Sequence, residues 1–348
     1  MLAVVVYHFD PLPTAWQHAV QETGFLGVDV FFVLSGFLIT TLLLREPPRP
    51  LGRALAAFYM RRTLRILPLF YLGCGLYAAA AWLAGGHAWS VYRGYLPALL
   101  LYWADVHLGQ QPVPFPYFGH AWSLAVEEKF YLLWPFAVLA WRRRAGRAIA
   151  VATIAGVLGW RTVVAWDEPA SMALMGRLCY SFDLRIDSLM WGCLLAYTLH
   201  ERAGYERLAR WLRRGFAPAL SLTIAAALAT LTVLAANDGL RLGVRYALMP
   251  ACLAVLLAVA VTAPHARALA WLRWRPIAWL GKVSYGIYVL HPLALLAARQ
   301  VWRGVLGEPS PASWLPRFAL YLAATLLASG ASFRWFEAPL LRWKEHFR

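Results

Sequence analysis

Six stretches of this chain put acid–base or cationic side chains where the surrounding sequence is apolar. His8 follows the run Leu2 to Tyr7. It is the one group near that segment's end able both to take and to give a proton at neutral pH, so it is either a general base or an interfacial histidine beside Tyr7. Asp29 opens Gly-Val-Asp-Val-Phe-Phe-Val-Leu-Ser-Gly-Phe-Leu-Ile-Thr. On a helix Gly36 and Thr40 fall within about 20° of Asp29, and Ser35 points about 120° away. The glycine face suits close helix packing, and the carboxylate needs a partner or a polar cavity. Arg62 and Arg65, in Arg-Arg-Thr-Leu-Arg-Ile-Leu-Pro, share a helix face. They offer either planar forks of donors for a phosphate or a positive anchor at the membrane edge, where Pro68 should break the helix.

The run His120-Ala-Trp-Ser-Leu-Ala-Val-Glu-Glu-Lys-Phe-Tyr-Leu-Leu-Trp-Pro places Glu127, Glu128 and Lys129 inside an apolar segment. Adjacent carboxylates diverge by about 100° on a helix. One should therefore face the interior while the other pairs with Lys129 or an arginine. Arg185 and Asp187, in Ser-Phe-Asp-Leu-Arg-Ile-Asp-Ser, are an internal ion pair or a substrate contact. Ser284, Tyr285 and His291 complete the set in Gly-Lys-Val-Ser-Tyr-Gly-Ile-Tyr-Val-Leu-His-Pro.

Elements able to hold such groups must be membrane helices. Of 348 residues 61% are hydrophobic and 14% charged, with mean hydropathy +0.54, which excludes an ordinary soluble domain. Apolar segments run over 1–9, 26–44, 66–84, 95–107, 119–141, 148–166, 179–199, 217–236, 246–263, 277–303 and 314–336. Net charge is +16; in a soluble protein that would suggest a nucleic-acid partner. Here 22 of the 33 basic residues lie in five stretches: 45–65, 142–147, 202–214, 267–282 and the closing Arg342, Lys344 and Arg348. That clustering reads as positive-inside topology, not nucleic-acid binding. The alternation requires one segment not to cross, and the short 95–107 piece is expected to be re-entrant or half-buried. The expected fold class is all-α: one membrane domain over 1–348, about ten transmembrane helices, and both ends cytoplasmic. Cys74, Cys179, Cys193 and Cys252 form no Cys-x-x-Cys pair and read as small apolar residues, so neither a disulfide framework nor a metal site is expected.

Taken in order, the motifs opened by Gly27, Arg61, Trp122 and Gly281 resemble acyltransferase family 3, bacterial integral-membrane O-acyltransferases that modify polysaccharides, lipopolysaccharide, peptidoglycan and some antibiotics. The resemblance runs from Tyr7-His8 to the closing Phe333-Arg-Trp-Phe-Glu-Ala-Pro-Leu. It implies that His8 is catalytic and that Arg62 and Arg65 bind an acyl-CoA donor at the cytoplasmic face. It also places Glu127 or Glu128 in the core polar site, with Arg185 and Asp187 in a later motif. The family usually carries a basic residue well ahead of that histidine, and only seven residues precede His8. The chain ends soon after its last apolar segment, so a fused extracytoplasmic hydrolase-like domain is not expected.

The expected reaction moves an acyl group, above all acetyl, from cytoplasmic acyl-CoA to a hydroxyl of a glycan or glycosylated acceptor at the outer face of the inner membrane. Transfer is direct or passes through an acyl-enzyme on Tyr131, and direct transfer is favoured because no specially activated nucleophile is visible. A transporter or flippase would call for paired broken helices in two related halves, and no such repeat is present. A lipid-linked glycosyltransferase would call for carboxylate-rich outer loops, which are also missing.

Overall fold

The computed structural model describes residues 1–10, 14–47, 49–110, 117–167, 171–234, 239–263 and 267–343. Lys344 and Arg348 lie outside the described residues. Every regular element among those described is helical. The order is α1 (Leu2–Tyr7), α2 (Ala15–Glu22), α3 (Leu26–Leu44), α4 (Leu51–Ala84), α5 (Gly86–Leu100), α6 (Ala104–Gln110) and α7 (Trp122–Asp167). Next come α8 (Met172–Tyr180), α9 (Phe182–His200), α10 (Arg202–Leu212), α11 (Phe216–Leu234) and α12 (Gly239–Thr262). The chain closes with α13 (Arg275–Leu306), α14 (Trp314–Ser332) and α15 (Ala338–Trp343), the last two joined by a π-helical turn, Phe333–Glu337.

Five helical stretches among the described residues are long and apolar enough to cross a membrane: Val20–Leu44, Leu51–Ala84, Ala145–Trp166, Gly243–Thr262 and Arg275–Leu306. Leu38, Leu42, Leu132, Leu133 and Leu222 are exposed on the outside of the bundle. An apolar exterior of this kind belongs against lipid tails, and the chain is a multi-pass membrane protein.

Helix α3 is central. Its Gly36 faces α9 so closely that a Cβ there would lie 1.9 Å from the Leu189 carbonyl oxygen, and Gly192 of α9 returns the contact on Val33. Small residues let the two backbones touch, which is how helices associate where lipid competes for apolar side chains.

The 46 residues of α7 would extend about 69 Å if straight, twice a bilayer core. They do not run in one direction. Lys129 lies 5.9 Å from the Phe182 ring near the start of α9, and Trp134 lies 6.4 Å from Tyr197 near its end. Gly146 is again on Tyr197, while Arg161 pairs with Asp187 and Trp160 with Asp183. The two halves thus follow α9 in opposite senses, and the reversal falls between Trp134 and Gly146.

Two expectations change. The 95–107 piece is not one helix. Helix α5 ends at Leu100, Tyr102 takes φ +55°, and α6 begins at Ala104. Trp103 N–H reaches Ala98 O (2.7 Å) and Tyr102 N–H reaches Leu99 O (3.0 Å), a Schellman ending in which the left-handed position normally filled by glycine is a tyrosine. Stacking of Tyr102 on Phe70, centroids 4.3 Å apart, offsets the backbone cost. Nor does Pro68 end a helix, because α4 continues through it; membrane helices tolerate proline where neighbours re-satisfy the freed carbonyl.

Candidate active site

Helix α1 is short, and its position is set by what flanks it. A Cβ at Gly24 would lie 2.2 Å from Ala3 O, so the turn before α3 lies directly on α1. Gln21 Nε2 donates to Val6 O (3.1 Å) and Phe9 O (2.9 Å), closing the helix end. Asp10 accepts from Arg317 (2.6 Å) and from Arg299, tying the chain just past His8 to α14 and α13. His8 itself closes α1: its Nδ1 meets Val4 O at 2.9 Å. Since a carbonyl only accepts, Nδ1 carries the hydrogen and Nε2 keeps its lone pair.

Two more imidazoles meet His8. His291, in mid α13, lies 4.9 Å away between ring centroids, and His120 lies 5.8 Å away; those two are 4.8 Å apart. His291 Nδ1 faces Ile287 O and Tyr288 O at 3.0 and 2.9 Å, which assigns it the same tautomer. The Nε2 atoms of His120 and His291 are buried without a hydrogen-bond partner. His120 belongs to the tight turn Gly119–Ala121 ahead of α7, and Phe118 before it has φ +60°. Phe118 is fully buried and stacked on Tyr77 at 4.6 Å, so a strained backbone position is clamped where it aims a histidine.

From this cluster a row of polar groups descends α7. Tyr288 donates to His120 O (2.6 Å) and is bonded to Ser123. Glu127, buried, lies against the Ser35 and Tyr131 hydroxyls, which are 2.5 Å from each other. The Arg62 guanidinium lies 5.6 Å from the Tyr131 ring and 5.7 Å from Phe58. Oε1 of Glu127 and of Glu128 is buried and unpartnered. Eleven residues of helix separate His120 from Tyr131, about 16 Å of axial rise. Arg65 has Glu337 as its acidic neighbour, so the two arginines of the motif face different carboxylates. Tyr285 donates to Ile66 O (2.8 Å) beside them, and Ser284 to Gly281 O (3.0 Å). Glu128 does not pair with Lys129, because Lys129 is taken by Asp105 of α6.

Asp29, Arg185 and Asp187 lie elsewhere, in a buried charge network. Arg185 and Asp187 do not pair with each other: Arg185 bonds Asp29, and Asp187 accepts from Arg161 at 2.8 Å. Asp29 also accepts from Arg245 (3.0 Å), and the Arg185 and Arg245 guanidiniums lie 4.0 and 4.3 Å from the Tyr246 ring. Arg161 reaches Leu184 O as well (2.6 Å). The network joins α3, α7, α9 and α12. Its link to the histidines is Phe25, which lies 5.5 Å from Arg245 and 5.8 Å from Tyr7.

Sequence reasoning passed over His120, Arg161 and Arg245. Each had a signal. His120 is three, seven and eleven residues before Ser123, Glu127 and Tyr131, the spacing of one helix face. Arg161 and Arg245 are lone cations at or beside apolar segments, which seldom lack an internal partner. No group of three His, Cys, Asp or Glu among the described residues is arranged to ligate a metal.

The chain is 28% identical over 359 residues to "Peptidoglycan O-acetyltransferase OatA" of Listeria monocytogenes, an alignment covering 98% of this chain and 54% of the relative. It is 29% identical over 367 residues to "Putative peptidoglycan O-acetyltransferase YrhL" of Bacillus subtilis, covering 98% and 53%. It is 26% identical over 353 residues to "O-acetyltransferase OatA" of Staphylococcus aureus, covering 98% and 55%. The chain spans about half the length of these curated relatives. No solved structure matches it. The acyltransferase domain Acyl_transf_3 matches residues 1–334, and with His8, Arg62, Glu127 and Tyr131 arrayed along one polar row, the chain belongs to acyltransferase family 3, a family of enzymes that transfer acyl groups.

Proposed function

We propose that this protein is a membrane O-acetyltransferase that takes its acyl group from acyl-CoA, acetyl-CoA above all, at the Arg62 end of the polar row and delivers it to a glycan hydroxyl at the His8 end. The observation that carries this reading is the continuous placement of Arg62, Tyr131, Glu127, Ser123 and the three imidazoles on one side of α7. The relatives named peptidoglycan O-acetyltransferases support a cell-wall glycan as acceptor.

In the reaction, His8 Nε2 removes the acceptor's hydroxyl proton as that oxygen attacks the thioester carbonyl. The tetrahedral oxyanion then collapses, the C–S bond breaks, and the thiolate leaves with the proton held on the imidazolium. His120 and His291, whose buried Nε2 atoms are unpartnered beside His8, share that proton while the charge exists. Arg62 and Arg65 hold the phosphates of the donor through charge-assisted bonds, and the pantetheine arm follows the row toward His8. Transfer is direct; Tyr131 lines the path. Burial keeps water from the thioester.

The same reading places the domain, residues 1–348, in the inner membrane with ten crossings and both ends cytoplasmic. Incubation of the purified protein with radiolabelled acetyl-CoA and glycan strands tests it. Label transferred by the wild type and lost in His8→Ala is the expected result, and equal transfer by both overturns it.

A further inference from the structure

A concavity lies apart from the histidine cluster. It measures about 430 Å³ between α6 and the turn before it, α7, α8 and the start of α9, and its lining includes Trp103, Gln110, Lys129, Arg177, Phe182 and Asp183. That volume is within the roughly 300–1,000 Å³ of small-ligand pockets. It is at the end of the bundle where α9 begins, opposite the end where α9 leads into the basic helix α10.

Its chemistry selects among ligands. Each cation already has a carboxylate: Lys129 pairs with Asp105, and Arg177 with Asp183 at 3.6 Å. Asp183 also accepts from Trp160 Nε1 (2.8 Å), which fixes it in place. A free anion would have to displace those carboxylates to gain a cation. Neutral hydroxyls need not, since paired charges still offer spare donors and acceptors, and Gln110 adds an amide. The Trp103 and Phe182 rings flank the Lys129 ammonium at 5.3 and 5.9 Å, and Trp103 remains 55% exposed. Aromatic rings beside fixed polar groups suit a molecule with an apolar C–H face and an equatorial rim of hydroxyls.

We propose that this pocket docks a pyranose ring of the acceptor glycan, holding the strand while a neighbouring hydroxyl reaches the histidines. The proposal rests on the reading of the protein as a glycan O-acetyltransferase. It adds a binding site that the transfer chemistry itself does not require.

The test uses the full chain in detergent micelles and the β-linked trimer of N-acetylglucosamine as probe, with affinity read by calorimetry. Trp103→Ala should weaken binding by about tenfold or more, as loss of a central aromatic anchor does. Trp103→Phe should retain part of it, and Trp343→Ala, at an exposed tryptophan in α15, should leave it unchanged. Gln110→Ala, at the exposed end of α6, provides a second variant should Trp103→Ala fail to fold. Unchanged affinity in Trp103→Ala or in both Trp103→Phe and Gln110→Ala, or equal weakening by Trp343→Ala, overturns the site. So does binding of glycerol phosphate in place of the trimer. Labelled acetyl-CoA separates the two failures: a wild type that turns over donor yet does not bind the trimer overturns the pocket alone, whereas no donor turnover overturns the functional reading beneath it.

Discussion

His8 closes the first α-helix of the chain and His291 stands in the thirteenth, and their rings meet 4.9 Å apart. Both imidazoles spend Nδ1 on a backbone carbonyl of their own helix, so both turn Nε2 to the shared space. A base held this way needs no reorganisation before accepting a proton.

His8→Ala is therefore expected to slow acetyl transfer by about 10²- to 10⁴-fold, the usual contribution of a positioned base, with donor affinity nearly intact. His8→Gln keeps size and hydrogen bonding without basicity and should be equally slow. Single-turnover rates with labelled acetyl-CoA check this, and near-normal transfer by the Gln variant would reduce His8 to an orienting group.

The Arg62 guanidinium lies within cation–π reach of the Phe58 and Tyr131 rings, at 5.7 and 5.6 Å, which restrains the direction of its donors. Arg62→Ala should weaken acyl-CoA binding by about 1.5–3 kcal/mol, one charge-assisted contact. Lysine should rescue it only in part, because it lacks the planar fork and stacks less well. Equilibrium binding of a non-hydrolysable CoA thioether measures both. Full affinity in Arg62→Ala,Arg65→Ala would leave these residues as topology signals.

The Asp29 carboxylate is the counter-charge for Arg185 and Arg245 together. Asp29→Asn strands two buried guanidiniums, and removing one partner of a buried pair costs about 3–5 kcal/mol. A strong fall in unfolding temperature in detergent, or failure to accumulate in the membrane, is the expected outcome. A variant as stable as wild type would show that the network is dispensable for folding.

Two glycines on helix faces should behave oppositely. Gly36→Ala places a methyl 1.9 Å from the Leu189 carbonyl, and the α3–α9 contact must open. Gly75→Ala meets nothing within 4 Å and should stabilise α4 by up to about 1 kcal/mol through helix propensity. Thermal unfolding of the pair decides whether α3 and α9 touch as described.

Positive-inside charge also makes a topological claim. A reporter fused after Arg214 should read cytoplasmic, and one fused after Gly307, at the far end of α13, should read external. The same reading at both sites would break the ten-crossing proposal.

Helical class, membrane residence and the polar motifs were legible in the linear chain, because each rests on local properties. Apolar run length, a 3.6-residue period and loop arginines need no knowledge of neighbours. The same holds for the packing role of Gly36. Partnerships were not legible. Asp29 is matched with Arg185 and Arg245, 156 and 216 residues away, and Asp187 turned from its sequence neighbour to Arg161. Lys129 chose Asp105 over the adjacent Glu128. In each case several opposite charges were available, and which one comes within 3 Å depends on how whole helices cross, a long-range outcome of packing that no window of sequence contains. The histidine cluster shows this most sharply: His8, His120 and His291 come from three separate segments, and only the docking of α1 against α13 and against the turn ahead of α7 made them one site.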